Sequence, residues 1–249
     1  MLRIAEDDPV AVELCGLIRQ GAVESLRDRL DARPDLATAS IVDARGVARS
    51  LLHVVADWPG HLARGAEMVA LLAAAGADVN AAVSHSTEIA SAETPLHWAA
   101  SSDDVAVLEA LLDAGADLEA PGAIFTGGTA MSDAVVFAQW RAARALLARG
   151  ARTTLWQAAA LGLVDRVRSL CEGGDAPPSR DLSNALWHAC RGGAQEVAAY
   201  LVSRGADLNW LGHDHKTPLD AALGAAPDGG NAALVDWLRA HGARRAAEL

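Results

Sequence analysis

Lysine is almost missing from this sequence of 249 residues, because Lys216 stands alone against twenty arginines. Acidic residues outnumber basic ones by 32 to 21, which gives a formal net charge of -11. A surface of this charge repels phosphate backbones and anionic lipids, so the balance argues against nucleic-acid and membrane partners. It favours a partner with a basic or neutral surface.

Cysteines and long apolar runs are also scarce. Cys15, Cys171 and Cys190 lie far apart without a CxxC spacing, which argues against a disulfide framework or a cysteine zinc site. No apolar run approaches the ~18 residues of a membrane helix, and the start "MLRIAEDDPV" lacks the apolar core of a signal peptide. We therefore expect a cytoplasmic protein, folded around a core that a hydrophobic content of 51% can supply.

Recognised catalytic and metal-binding motifs are absent from the sequence. It contains no G-x-S-x-G or HExxH, and "GAIFTGGT" at 122–129 lacks the Lys-Ser/Thr ending of a phosphate loop. In "GHDHK", His213 and His215 point to opposite sides if the segment is extended, and no third ligand lies nearby. The sequence therefore predicts no catalytic residues, no metal and no cofactor, and it does not favour an enzyme.

An internal repeat is present instead. The phrase "TPLHWAA" at 94–100 returns as "TPLDAAL" at 217–223. Looser copies begin at Ser50, Thr129, Thr153 and Asn184. The six units end in a glycine signature, at Gly76, Gly115, Gly150, Gly173, Gly205 and Gly242. A motif at regular spacing indicates stacked units that bury their apolar faces against each other.

These phrases resemble the ankyrin repeat, which has a period of ~33 residues and a T-P-L-H-x-A signature. The resemblance implies an all-α solenoid of about seven stacked helix pairs joined by short β-hairpin fingers. Its local chemistry agrees, because Thr94 can cap a helix that begins at Pro95, and Gly115 can close the second helix in a left-handed conformation. We expect one domain over 1–249, with an N-terminal capping helix pair at 1–49, central repeats at 50–216 and a C-terminal capping repeat at 217–249.

Two departures from the period predict local differences. From Ser50 to Thr94 the distance is 44 residues, with about five extra in "DWPGHLARGAE" and the rest in "AAVSHSTEIASAE", judged against the family period. From Thr129 to Thr153 it is only 24 residues, so we expect one finger to be missing near residues 150–153.

The resemblance also assigns structural roles to polar and aromatic residues. His53 and His97 are expected to tie each unit to its neighbour by hydrogen bonds, with Trp156 and Trp187 taking the same position in later units. Asp103 and Asp104 are expected to cap the second helix of their own unit.

The residues that face the groove and the fingertips of ankyrin repeats are the candidate contacts. They are Asp57, Trp58, Glu93, Ser101, Ser102, Phe137, Arg191, His213, Asp214 and Lys216. We predict a non-enzymatic protein-interaction module that binds its partner there. The alternative is small-molecule binding, or simple acid/base catalysis, in a groove lined by Trp, His and Asp. The arginine and alanine bias is typical of GC-rich bacterial genomes and predicts a bacterial source.

Overall fold

The structure, a computed structural model, describes residues 2–84, 92–225 and 231–249. By their contacts these residues form two compact units, Met1–Ala151 and Arg152–Leu249. The single domain with a cap at each end stays a prediction.

The described part of the first unit contains four consecutive helix pairs. Their bounds are α1 Pro9–Arg19, α2 Val23–Ala32, α3 Leu51–Ala56, α4 Gly65–Ala74, α5 Pro95–Ser101, α6 Val105–Asp113, α7 Ala130–Val136 and α8 Trp140–Ala148. First helices stack on first helices, α3 on α5 and α5 on α7, and second helices do the same, α4 on α6 and α6 on α8. Large apolar side chains between these layers, such as Leu96, Leu108 and Leu111, are buried.

The described part of the second unit contains three further pairs. Their bounds are α9 Leu155–Ala160, α10 Val164–Glu172, α11 Ser179–Gly192, α12 Gln195–Ser203, α13 Pro218–Ala225 and α14 Ala232–Ala240. Helix α11 packs between α9 and α13, and α10 packs on α12. Together with the first unit this gives the seven helix pairs of the predicted solenoid within the described residues.

The capping signals read from the sequence act as predicted in the third pair. Thr94 is the N-cap of α5, with Pro95 in its first turn. Beyond the end of α6, Gly115 has φ 94°, the left-handed conformation that glycine adopts without steric cost.

A small sheet at the N-terminus was not predicted. Strands β2 (Ser40–Val42) and β3 (Ala48–Ser50) form an antiparallel hairpin, and β1 (Arg3–Ala5) adds to β2 in parallel. A three-residue strand is too short to show the alternation by which strands are recognised in a sequence.

The connections between pairs confirm one expectation and add a second short link. Only residues 149–154 separate α8 from α9, which confirms the shortened connection near 150–153. Residues 173–178, between α10 and α11, form an equally short connection that was not predicted. Helix α11 begins five residues before Asn184, directly after Pro178, so chain expected to form a finger is helical instead.

The predicted insertion between α3 and α4 is present. Eight residues, 57–64, join these helices, whereas three, 102–104, join α5 to α6. The second predicted insertion falls mainly on residues 85–91, which lie outside the described residues.

Candidate functional site

His53 and His97 link successive repeats, as the resemblance implied. In α5, His97 Nδ1 accepts from the backbone N–H of Thr94 at 3.1 Å. Its Nε2 lies 3.3 Å from the carbonyl oxygen of Gly128, and His53 Nε2 lies 3.1 Å from that of Glu93. Because a carbonyl oxygen only accepts, Nε2 carries the proton in both rings. Burial lowers the pKa of His53 to about 4 and also lowers that of His97, so both rings are neutral structural donors.

In the second unit, the helix position that His53 and His97 occupy in the first unit is filled by other residue types. Trp187 Nε1 donates to the carbonyl of Lys216 at 3.1 Å, which confirms its place as a histidine substitute. The assignment of Trp156 was wrong, because Thr154 caps α9 and its partner in the capping box is Gln157. Because Thr153 and Thr154 are adjacent, either could be the N-cap of α9 in the sequence, and the choice of Thr153 shifted the repeat register by one residue.

Asp103 and Asp104 cap two different helices. Asp104 Oδ1 accepts from the N–H of Val107 at 3.2 Å, which is the predicted cap of α6. Asp103 was expected to act on the same helix, but its Oδ1 accepts from the N–H of Ala142 in α8 at 2.7 Å. Asp103 has φ 56°, and this left-handed backbone lies in the turn that precedes α6.

The loop between α3 and α4 presents a tryptophan. The Trp58 side chain is 80% exposed. The loop is attached to the next repeat, since the N–H of His61 donates to Asp104 Oδ2. Asp57, the residue before Trp58, is half-buried and forms an ion pair with Arg49, in which Nη1 lies 3.4 Å from Oδ2. A large aromatic side chain is thus held in solvent by a loop with fixed attachments.

Two serines follow the first helix of the third repeat. Ser101 is half-buried and its hydroxyl donates to the carbonyl of Trp98 at 2.9 Å. Ser102 is buried, and its hydroxyl lies 3.2 Å from the carbonyl oxygen of Ala56 and 2.6 Å from that of Trp98. Gly60 covers Ser102, because a Cβ on this glycine would lie 3.0 Å from the serine Cβ. This burial leaves Ser102 little surface to offer a partner.

Glu93 lies at the base of the next finger. It is half-buried, and its backbone carbonyl accepts from His53 and from the N–H of Val83 at 2.9 Å. A Cβ on Gly122 would come within 2.4 Å of Ala92 O and 3.0 Å of Glu93 N. The finger that begins at Gly122 therefore lies directly against this segment.

Phe137 has a neighbour that the sequence analysis missed. Phe137 is 40% exposed and Phe125, at the turn of the finger, is 69% exposed, with ring centroids 5.9 Å apart. Ile124 beside it is 51% exposed. The signal was present as the apolar pair in "GAIFTGG", because loop tips usually carry polar residues.

Asp133 in α7 is a buried carboxyl group. Its residue is 1% exposed and its Oδ2 has no hydrogen-bond partner. Burial, and then the negative charge of Glu93, raise the pKa of Asp133 to about 8. The carboxyl is therefore mostly protonated near neutral pH.

The predicted contacts of the second unit surround Trp187. The Arg191 guanidinium lies 5.8 Å from the Trp187 ring centroid, and the His213 ring lies 5.1 Å from it. Burial lowers the pKa of Arg191. Asp214 and Lys216, both exposed, form an ion pair of 3.6 Å. The structure thus brings Arg191 and His213 to one ring, with Asp214 and Lys216 in the same short segment as His213.

His188 sits among these rings. Its centroid lies 4.7 Å from that of Trp156, 5.0 Å from that of Trp187 and 5.3 Å from that of His213. The residue is 3% exposed, its Nδ1 has no hydrogen-bond partner, and burial lowers its pKa to about 3. His188 is consequently neutral at physiological pH.

The described residues contain neither a candidate metal site nor a candidate membrane helix. In the described ranges, no three His, Cys, Asp or Glu side chains are grouped so that they could hold a metal ion. No described helix is long and apolar enough to cross a membrane.

Comparisons with known proteins identify the repeat. A family model described as "Ankyrin repeats (3 copies)" matches residues 155–246, and one described as "Ankyrin repeat" matches residues 93–123. Among solved structures, the chain is similar to the crystal structure of the human ASB11 ankyrin repeat domain, with 23% identity, coverage of 90% of this chain and 96% of that chain, and a TM-score of 0.47. No curated protein matches the sequence.

Proposed function

Because this chain is an ankyrin-repeat protein, a type of domain that generally binds other proteins, we propose that it is a non-enzymatic protein-interaction module of the cytoplasm. Its partner is bound by groove and finger residues, chiefly Asp57, Trp58, Glu93, Ser101, Phe137, Arg191, His213, Asp214 and Lys216. A bacterial source fits the same proposal.

The observation that carries this proposal is the exposure of Trp58. An 80% exposed tryptophan on a loop tied to the next repeat gains a large apolar contact when a partner covers it. Tryptophan and arginine are the residue types enriched at binding hot spots, and Arg191 provides a second such residue.

The charge distribution supports a basic partner. Residues 1–151 contain 21 acidic and 11 basic side chains, whereas residues 152–249 contain 11 and 10. The negative charge of the protein thus resides almost wholly in the first unit, where a basic surface would be attracted.

Affinity capture tests the function. The purified chain is immobilised, exposed to a lysate of source cells at low and at high salt, and the retained proteins are identified by mass spectrometry. We expect one protein to be retained at low salt, to weaken at high salt, and to be lost with Trp58→Ala or Arg191→Ala. Val12→Ala, at a 57% exposed position on α1, is the matched control and should retain it. Retention that none of the variants changes would contradict the proposal.

Small-molecule binding, or simple acid/base catalysis, is the second candidate function. It is favoured by the buried Nδ1 of His188, which has no hydrogen-bond partner among the rings of Trp156, Trp187 and His213. A buried polar atom without a partner is costly, and a ligand could satisfy it. Native mass spectrometry of the purified protein distinguishes this candidate, which requires a bound metabolite and no protein partner.

A further inference from the structure

Three exposed apolar residues of the fourth repeat form what we call the phenylalanine patch: Phe125 and Phe137, whose rings lie together, and Ile124, which precedes Phe125 in the finger. They are 69%, 40% and 51% exposed, and the two phenyl rings are in contact distance at 5.9 Å between centroids. Single exposed apolar residues are common, but contiguous apolar surface marks interaction sites.

The backbone holds this patch in place. The N–H of Gly122 donates to the carbonyl of Gly128 at 2.8 Å, and the N–H of Gly127 donates to that of Ala123 at 2.7 Å, so the finger closes tightly on itself. Its apolar residues are displayed by an ordered turn. Covering them would remove apolar surface from water at little cost in backbone entropy.

Two acidic residues, Asp133 and Glu93, adjoin the patch through their backbones. Phe137 follows Asp133 by one helical turn, and its N–H donates to the Asp133 carbonyl at 2.9 Å. The finger base at Gly122 lies against the backbone of Glu93. Asp133 and Glu93 are close enough that the charge of Glu93 disfavours the ionised form of Asp133.

We propose that the phenylalanine patch, with Glu93 and Asp133, is the anchor site for a partner segment in which a large apolar residue stands next to a lysine or arginine. The apolar residue covers the phenyl rings, and the cation approaches the two carboxyl groups. Asp133 Oδ2, which is buried without a partner, gains a charge-assisted hydrogen bond when the cation arrives. This inference rests on the protein-binding function proposed above.

Charge selects this occupant over a second copy of the chain. The unit that carries the patch has 21 acidic and 11 basic residues, so two copies docked through this face would place like charges together. A basic segment instead meets opposite charge on approach.

Selection from a random peptide library displayed on phage tests the proposal with the full chain as bait. We expect the enriched peptides to combine Phe, Leu or Trp with an adjacent Lys or Arg. A synthetic copy of the most enriched peptide should lose affinity by about tenfold or more with the double variant Phe125→Ser, Phe137→Ser. Leu211→Ser, at a 49% exposed position of the second unit, is the matched control and should bind as the unaltered chain does.

The affinity of the same peptide, measured as a function of pH, tests whether the carboxyl groups take part in binding. With a pKa of about 8 for Asp133, its ionised fraction rises from about 3% at pH 6.5 to about 90% at pH 9. Glu93 is the charged group that acts on it. Of the groups on the helices packed against α7, His97 is kept neutral by burial, and Arg141 and Arg144 are exposed. Binding should therefore be about tenfold tighter at pH 9, and Asp133→Asn should abolish this difference.

The possible outcomes distinguish a failure of the proposed anchor site from a failure of the proposed protein-binding function. Peptides that are lost with Trp58→Ala but not with the double variant would overturn the anchor site and leave the interaction module intact. Acidic peptides, a pH-independent affinity, or dimers in light scattering that the double variant dissociates would also overturn it. A selection that enriches no peptide would overturn the anchor site, and the lysate capture with Trp58→Ala would still decide the interaction module separately.

Discussion

The indole Nε1 of Trp187 donates to the carbonyl of Lys216 at 3.1 Å. This bond joins the sixth helix pair to the segment before the seventh, just as Nε2 of His97 reaches the carbonyl of Gly128 between the third and fourth pairs. Trp187 is only 5% exposed. In both places a ring N–H on the first helix of a pair donates to a backbone carbonyl that precedes the next pair, from indole in α11 and from imidazole in α5.

Trp187→Phe therefore separates the hydrogen bond from the packing. It should lower the free energy of unfolding by about 0.5–1.5 kcal/mol, because the carbonyl of Lys216 loses the indole donor but keeps the N–H of Gly212 as a second donor. Trp187→Ala should cost about 3–5 kcal/mol, since packing is lost as well. Urea unfolding followed by circular dichroism measures both. Equal stability of the Phe variant and the unaltered protein would show that the bond contributes nothing.

Asp103→Ala should destabilise the protein by about 0.5–2 kcal/mol, because it removes the cap that Asp103 provides for α8. The left-handed backbone of this residue, φ 56°, adds to the cost with alanine. Asp103→Asn is the matched control, because asparagine keeps an acceptor oxygen and tolerates this conformation. In thermal unfolding, the midpoint of Asp103→Asn should lie well above that of Asp103→Ala. An equal loss of stability in both variants would indicate that only the charge of Asp103 matters.

Asp133→Asn should stabilise the protein increasingly as the pH rises. The unfolded carboxyl loses its proton near pH 4, but the folded one keeps it until about pH 8. Between these values the folded state holds one more proton, so the stability of the unaltered protein falls by up to about 1.4 kcal/mol per pH unit. The amide removes this dependence. Chemical unfolding at pH 4 and pH 8 checks it, and a gain that is the same at both pH values would contradict the assignment.

Trp58→Ala and Leu111→Ala should differ in their effect on stability. Trp58 is 80% exposed, so its truncation should leave the midpoint of thermal unfolding nearly unchanged. Leu111 is fully buried between repeats, and its truncation should cost about 2–5 kcal/mol. Differential scanning calorimetry of the two variants suffices. A marked loss with Trp58→Ala would mean that the loop supports the fold.

The repeat could be predicted from the sequence because its signals are local. Thr94 and Pro95 start a helix, Gly115 ends the unit, and the spacing from Ser50 to Thr94 reveals the insertion, all within contiguous residues. The role of His97 followed from the family resemblance.

Local signals predict a helix start wrongly where two adjacent residues can both act as the N-cap, or where one segment can form either a helix or a loop. The adjacent threonines 153 and 154 shifted the expected register by one residue, so Trp156 was assigned the position of Gln157. The early start of α11 replaced chain that was expected to form a finger.

The amino-acid sequence by itself thus determined the repeat, the helix start at Thr94 and Pro95, the left-handed Gly115 and the acidic charge of the first unit. The tertiary structure alone decided which side chains of similar chemistry are buried and which are displayed. Asp133 and Asp57 are both aspartates near the start or end of a first helix, yet one is buried and protonated and the other reaches Arg49 at the surface. Burial depends on how neighbouring repeats pack, and that information lies in residues far apart in the chain.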